Sequence, residues 1–238
     1  MKNTISVSNL SPEDISIRYV FQKMYSPQGK LVAVECLSRF NHISVPPEYF
    51  FLHSDINLRE YIFMEQLGLI EQHQNWFIKN NITATINIDD DTLNLLCQPA
   101  VKERVEQLRY IHFEVKENSG ILLDNTSLNR SNLPEASTFW LDDFGSGYAG
   151  MKAIRNYHFD YIKIDKDYFW YLMHKESGRQ LMDALVTFLT QNHHNVIIEG
   201  VESSAHKRWL SGMNWFAVQG HYWEEVNIEQ LIQEDINV

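Results

Sequence analysis

A polar or charged group recurs near the end of one apolar segment after another. Glu35 stands in VECLSR, Asn87 in TINID, Glu114 in HFEVKE, and Asp142 with Asp143 in WLDDFG. Lys163 and Asp165 follow in YIKID, Glu199 in IIEG and Gln219 in VQG. Glu35, Asn87, Glu114, Asp142 and Asp143 offer hard oxygen donors, which suit Mg²⁺, Mn²⁺ or Ca²⁺ rather than zinc. Carboxylates gathered in one place repel one another unless cations compensate them, and two divalent ions about 3.5–4 Å apart are a standard device for displacement at phosphorus. Lys163 adds an ammonium that could orient a water or offset phosphate charge, with a pKa expected to fall on desolvation beside cations.

The adjacent acids Asp142 and Asp143 admit two readings. Asp before a glycine-rich segment often caps a turn, or the pair holds metal. Matching acids on other strands favour metal. Gly145 and Gly147 would let the backbone turn both carboxylates toward one centre and bring N–H groups near an anionic substrate. The triplet DFG also occurs at the Mg²⁺ site of protein kinases, but the glycine-rich loop, VAIK-like strand and HRD segment of that class are missing.

These groups can meet only if their segments run side by side. Residues 17–25 and 30–40 read as strands joined by the turn SPQG, hence an antiparallel hairpin. Further strands are predicted at 82–88, 110–117, 138–145, 159–165, 195–201 and 215–220. Apolar spacing predicts helix over 57–80, from DDDTLNLL onward, and over 149–157, 178–193 and 203–212, with 118–136 an irregular connection. Alternating strands and helices specify an α/β fold with a mostly parallel sheet. The reading is a TIM-like (βα)8 barrel with one antiparallel strand, whose carboxyl strand ends gather on the face where such barrels build sites.

A chain of 238 residues, 44% hydrophobic and 13% aromatic, suits one barrel domain over 1–238. The net charge of −11, with Lys and Arg scattered, argues against a nucleic-acid duplex as partner. Cys36 and Cys97 lie far apart and read as reduced thiols. With no signal-like amino terminus and no apolar run of about 20 residues, the expectation is a cytoplasmic protein without a membrane partner.

Taken in order from Tyr19 to Tyr222, the segments resemble the EAL domain family of cyclic-di-GMP phosphodiesterases. VECLSR is similar to that family's ExLxR opening, and LDDFGSGY to its most distinctive motif; DYIKID, IIEGVE and VQG follow in register. The resemblance implies hydrolysis of cyclic di-GMP to linear pGpG with Mg²⁺ or Mn²⁺, two ions being expected, and a homodimer. By motif match Glu35, Asn87, Glu114 and Asp142 would hold one ion, with Asp142 shared with a second ion that Asp143 also holds. Lys163 and Glu199, together with Glu35, would form the catalytic set that positions and activates the attacking water. Arg39, Gln22, Asp165 and Gln219 would face substrate, Arg39 on phosphate. Glu117 would brace the loop after Asp143, and Glu202 would be a supporting acid.

Four positions depart from the family pattern. Cys36 replaces alanine, on the opposite strand face from Glu35. Lys23 and Val226 stand where proline is common. Lys116 stands where threonine is usual, on the same face as Glu114, and is expected to reach solvent or an acid at the rim. A stand-alone member of this kind resembles enterobacterial regulators of fimbriae or biofilm. The rival reading is an EAL domain that binds the dinucleotide without cleaving it, or acts through protein contacts; retention of the acids and the lysine favours the enzyme.

Overall fold

The computed structural model describes residue 7 and residues 10–41, 45–120, 133–135, 137–147 and 150–236. Most of the expected 118–136 connection, and Tyr148, lie outside these residues.

Eight strands close into a barrel in sequence order. They are β1 (Ser16–Tyr25), β2 (Leu31–Asn41), β3 (Thr83–Ile88), β4 (Ile111–Lys116), β5 (Phe139–Phe144), β6 (Tyr161–Ile164), β7 (Asn195–Ile198) and β8 (Ala217–Gln219). β1 runs antiparallel to β2 and to β8, and every other neighbouring pair is parallel. The expected barrel with one antiparallel strand is the observed fold.

Helices cover the outside: α1 (Pro47–His53), α2 (Ile56–Gln72), α3 (Gln74–Asn80), α4 (Asp90–Leu96), α5 (Pro99–Glu106), α6 (Gly150–Asn156), α7 (Lys166–Met173), α8 (Gly178–Gln191), α9 (Ser204–Trp209) and α10 (Ile228–Ile236). The continuous helix expected over 57–80 breaks at His73, which ends α2 and begins α3. Among the described residues, no helix is long and apolar enough to cross a membrane.

Strand alternation divides the core in two. Outward residues such as Val34, Cys36, Ile86, Phe113, Leu141, Ile162 and Ile198 pack against Phe63, Leu67, Phe169 and Val186 of the helices. Cys36 therefore faces away from Glu35, as strand alternation requires. Inside, Met24, Ala33, Trp140, Ile197 and Ala217 form a separate cluster with Tyr161 and Phe216. That plug closes one end of the barrel, so the next inward position on each strand belongs to a second layer at the other end.

Two departures are held locally. Lys23 donates to Glu234 of α10 at 2.8 Å. Val226 exchanges two backbone hydrogen bonds with Phe21, 2.7 and 3.2 Å long; proline there could not donate the second.

Candidate active site

The second inward layer collects the charged residues. Gln22 is level with Glu35, and Asn87 with Glu114. Glu114, Asp142, Lys163 and Gln219 follow His112, Trp140, Tyr161 and Ala217 by two residues, one pleat above the plug. Glu35 lies in the middle of the long strand β2, not at its end, because the antiparallel hairpin carries β2 on to Asn41.

Lys163 stands at the centre, 1% exposed. Its Nζ is 2.6 Å from Glu114 Oε2, 2.8 Å from Glu199 Oε1, 3.0 Å from Glu35 Oε2 and 3.1 Å from Asp142 Oδ1. Glu35 also accepts from Asn87 Nδ2 at 2.5 Å and from Gln219 Nε2 at 2.6 Å. Gln219 Nε2 in turn donates to Gln22 Oε1 at 2.6 Å. One network thus joins Gln22, Glu35, Asn87, Glu114, Asp142, Lys163, Glu199 and Gln219.

Strand alternation alone would send Asp142 and Asp143 to opposite faces. The pairing of β5 with β6 slips by one residue between Leu141 and Phe144, a bulge opposite β6. Asp143 takes φ 56° and Gly145 φ 99°, both left-handed. The extra residue and the left-handed turn bring Asp143 beside Asp142. Donor atoms of Asp142, Asp143 and Glu199 lie within 4.8 Å of one another, a grouping able to hold a metal ion.

Charge in this layer is unbalanced, since one ammonium meets four carboxylates. Burial, then the Glu35 charge, raises the Glu114 pKa well above the carboxylate range, against the pull of Lys163. Burial likewise raises Asp142, and lifts Glu199 to about 8. Glu35 is the exception: burial pushes it up, but Lys163 and the hydrogen bonds from Gln219 and Asn87 hold it below its ordinary value. Burial pulls Lys163 down, yet Asp142, Glu114, Glu199 and Glu35 together raise it well above a normal lysine. Four surrounding carboxylates thus outweigh burial at Lys163.

The donors fit a hard divalent cation. Among the described residues, Glu114 Oε1 and Gln219 Oε1 are buried without a hydrogen-bond partner, and Asp142 Oδ1 has the Lys163 ion pair but no hydrogen bond; buried acceptors left unpaired are costly. Oxygen ligands and raised carboxyl pKa values describe a set short of positive charge.

The remaining expected residues lie around this layer. Arg39 forms a bidentate ion pair with Glu225, its Nε donating to Oε2 at 3.1 Å and its Nη2 to Oε1. Asp165 caps α7, accepting from the Tyr168 N–H at 3.0 Å. Buried Glu117 accepts from the Gly145 N–H at 2.7 Å, beside the left-handed turn. Glu202 pairs with His221 at 3.1 Å, away from the Lys163 network. Lys116 reaches Asp143, its Nζ 2.9 Å from Oδ2. Sequence reasoning missed Glu225; the only signal was an acidic pair, Glu224 and Glu225, in the loop leaving β8.

Barrel and mouth together define a protein whose site is assembled from strand-borne acids around a buried lysine. Residues 10–225 match the EAL domain, and the chain belongs to the EAL domain family. It is 32% identical over 210 residues to the cyclic di-GMP phosphodiesterase PdeH of Escherichia coli (strain K12), covering 86% of this chain and 81% of that protein. It is 23% identical over 219 residues to the anti-FlhC(2)FlhD(4) factor YdiV of Salmonella typhimurium (strain LT2), covering 90% and 92%. The crystal structure of the EAL-like domain protein YdiV superposes with a TM-score of 0.80 at 21% identity, over 92% of this chain and 95% of that one.

Proposed function

We propose that this chain is a metal-dependent phosphodiesterase that hydrolyses cyclic di-GMP to linear pGpG. The observation that carries the reading is the convergence of Glu35, Glu114, Asp142 and Glu199 on Lys163, with Asn87 bonded to Glu35, inside one barrel mouth. The likeness to PdeH, whose name states that activity, supports it.

Two Mg²⁺ or Mn²⁺ ions held by Glu35, Asn87, Glu114, Asp142 and Asp143 would neutralise the acids and polarise one phosphodiester. The chain's own groups do the rest. Lys163 holds four carboxylates in one geometry, a preorganisation that leaves little rearrangement for the reaction step. Glu199, held 2.8 Å from Lys163 at the mouth of the site, is the carboxylate placed to take a proton from the attacking water once cations offset the surrounding acids. The water oxygen bonds to phosphorus, the P–O bond to the 3′ oxygen breaks, and the leaving oxygen gains a proton. Arg39 would meet phosphate after parting from Glu225, and Gln22, Gln219 and Asp165 would line the approach. Glu117 would steady the loop after Asp143, with Glu202 in support. A homodimer acting in the cytoplasm, restraining biofilm or fimbriae, belongs to the same reading.

The test is chromatographic, with purified chain, cyclic di-GMP and Mg²⁺ or Mn²⁺ sampled over time. Linear pGpG should appear, should be abolished by EDTA, and should be lost in Glu35→Ala. Near-normal turnover by that variant would sink the assignment. A second reading, a regulator acting through protein contacts, draws support from the similarity to YdiV over 90% of the chain. Absence of both product and dinucleotide binding would favour it.

A further inference from the structure

Asp143 is the most exposed of the three grouped donors and is already paired. Lys116 Nζ lies 2.9 Å from its Oδ2, with side-chain exposures of 47% and 27%. The contact follows from the backbone. Lys116 is level with Asp142 across the β4–β5 ladder, and shares the inward face of β4 with Glu114. The bulge and left-handed turn then swing Asp143 under the lysine's reach.

A cation at Asp142, Asp143 and Glu199 must therefore share Asp143 with a tethered ammonium or displace it. Lys163 touches both groups, Glu35, Glu114 and Asp142 of the inner one and Asp142 and Glu199 of the outer one, so among the described residues Lys116 is the added cation that the outer position alone meets. We infer that Lys116 is an affinity-determining residue for the outer of two cation positions, a built-in competitor that makes occupancy at Asp143 depend on the free divalent-ion concentration while the inner position fills first. The inference rests on the reading of the site as one that takes divalent ions. Because the lysine is half-exposed and flexible, it weakens the outer position without closing it.

The test is Mn²⁺ binding to the full chain, by calorimetry and by electron paramagnetic resonance of free Mn²⁺, for wild type, Lys116→Met, Lys116→Gln and Lys116→Arg. Wild type should bind one ion tightly and a second weakly. Both neutral variants should bind the second about tenfold tighter or more, with the first unchanged, since two cations at contact distance repel strongly. Lys116→Arg should keep the weak second constant. Equal second constants in wild type and both neutral variants would overturn the role of Lys116 while leaving the enzyme reading intact. No Mn²⁺ binding by any variant would overturn both.

Discussion

Lys163 and Glu114 form an ion pair at 2.6 Å with 1% and 0% of their side chains exposed, at the centre of a barrel whose adjoining layer is apolar. A buried charge without a partner is far worse than a buried pair, and here four carboxylates share one ammonium. Lys163→Met should therefore destabilise the chain in EDTA by about 3–5 kcal/mol at pH 8. The loss should shrink at pH 5, where the acids take up protons, and should shrink when Mn²⁺ is added. Urea melts under these conditions measure it. Equal stability of variant and wild type at pH 8 in EDTA would mean the lysine is not the main counter-charge.

Arg39 presents its guanidinium to Glu225 in the forked geometry with which arginine also grips phosphate. A substrate phosphate would have to replace that carboxylate. Glu225→Gln weakens the competitor but keeps the shape, so KM for cyclic di-GMP should fall roughly threefold to tenfold with kcat little changed. Arg39→Ala should raise KM instead. Steady-state kinetics of both variants decides the matter, and an unchanged KM in Glu225→Gln would show that Arg39 does not meet the substrate.

The fold was legible because the strands are short, apolar and regularly spaced, and because SPQG dictates a hairpin. The inward layer was legible for the same reason: a two-residue period fixes which face each acid takes. What escaped depends on contacts that sequence period does not record. Asp143 faces the site only through a bulge and a left-handed φ, features that no alternation pattern encodes. Asp165 sits beside the site strand, yet its carboxylate caps α7, a helix that the spacing did not reveal within the aromatic run DYFWY. His73 interrupts a helical apolar pattern that continues through it. Glu225 acquires its meaning only from Arg39, far away in the chain.

The loop after Asp143 hangs on Glu117. Its Oε2 accepts from the Gly145 N–H, and a side chain added at Gly147 or Gly150 would crowd its oxygens at 3.2 and 3.0 Å. Glu117→Ala should cost about 1 kcal/mol, the loss of a charge-assisted hydrogen bond to a part-buried amide. Glu117→Gln, which keeps an acceptor, should cost less. The decisive measurement is hydrogen exchange at the Gly145 amide, which should accelerate in the alanine variant. An unchanged exchange rate would mean that the loop is held by other contacts.

His112 supplies the clearest pH dependence outside the carboxylate layer. Trp140 Nε1 donates to its Nδ1 at 2.9 Å, which requires a neutral ring. Burial lowers its pKa from 6.5 to about 4, against the opposing pull of Asp160 and the Arg109 backbone. The folded chain therefore binds this proton more weakly than the unfolded chain. The stability it contributes is complete above the unfolded value of 6.5 and is lost as pH falls toward 4. Between pH 7.5 and pH 5 the loss from this group should reach about 2 kcal/mol. His112→Gln keeps an acceptor for Trp140 but cannot titrate, so its stability should fall less over the same interval. Chemical denaturation at both pH values gives the difference between the two slopes, and parallel slopes would show that His112 is protonated in the fold.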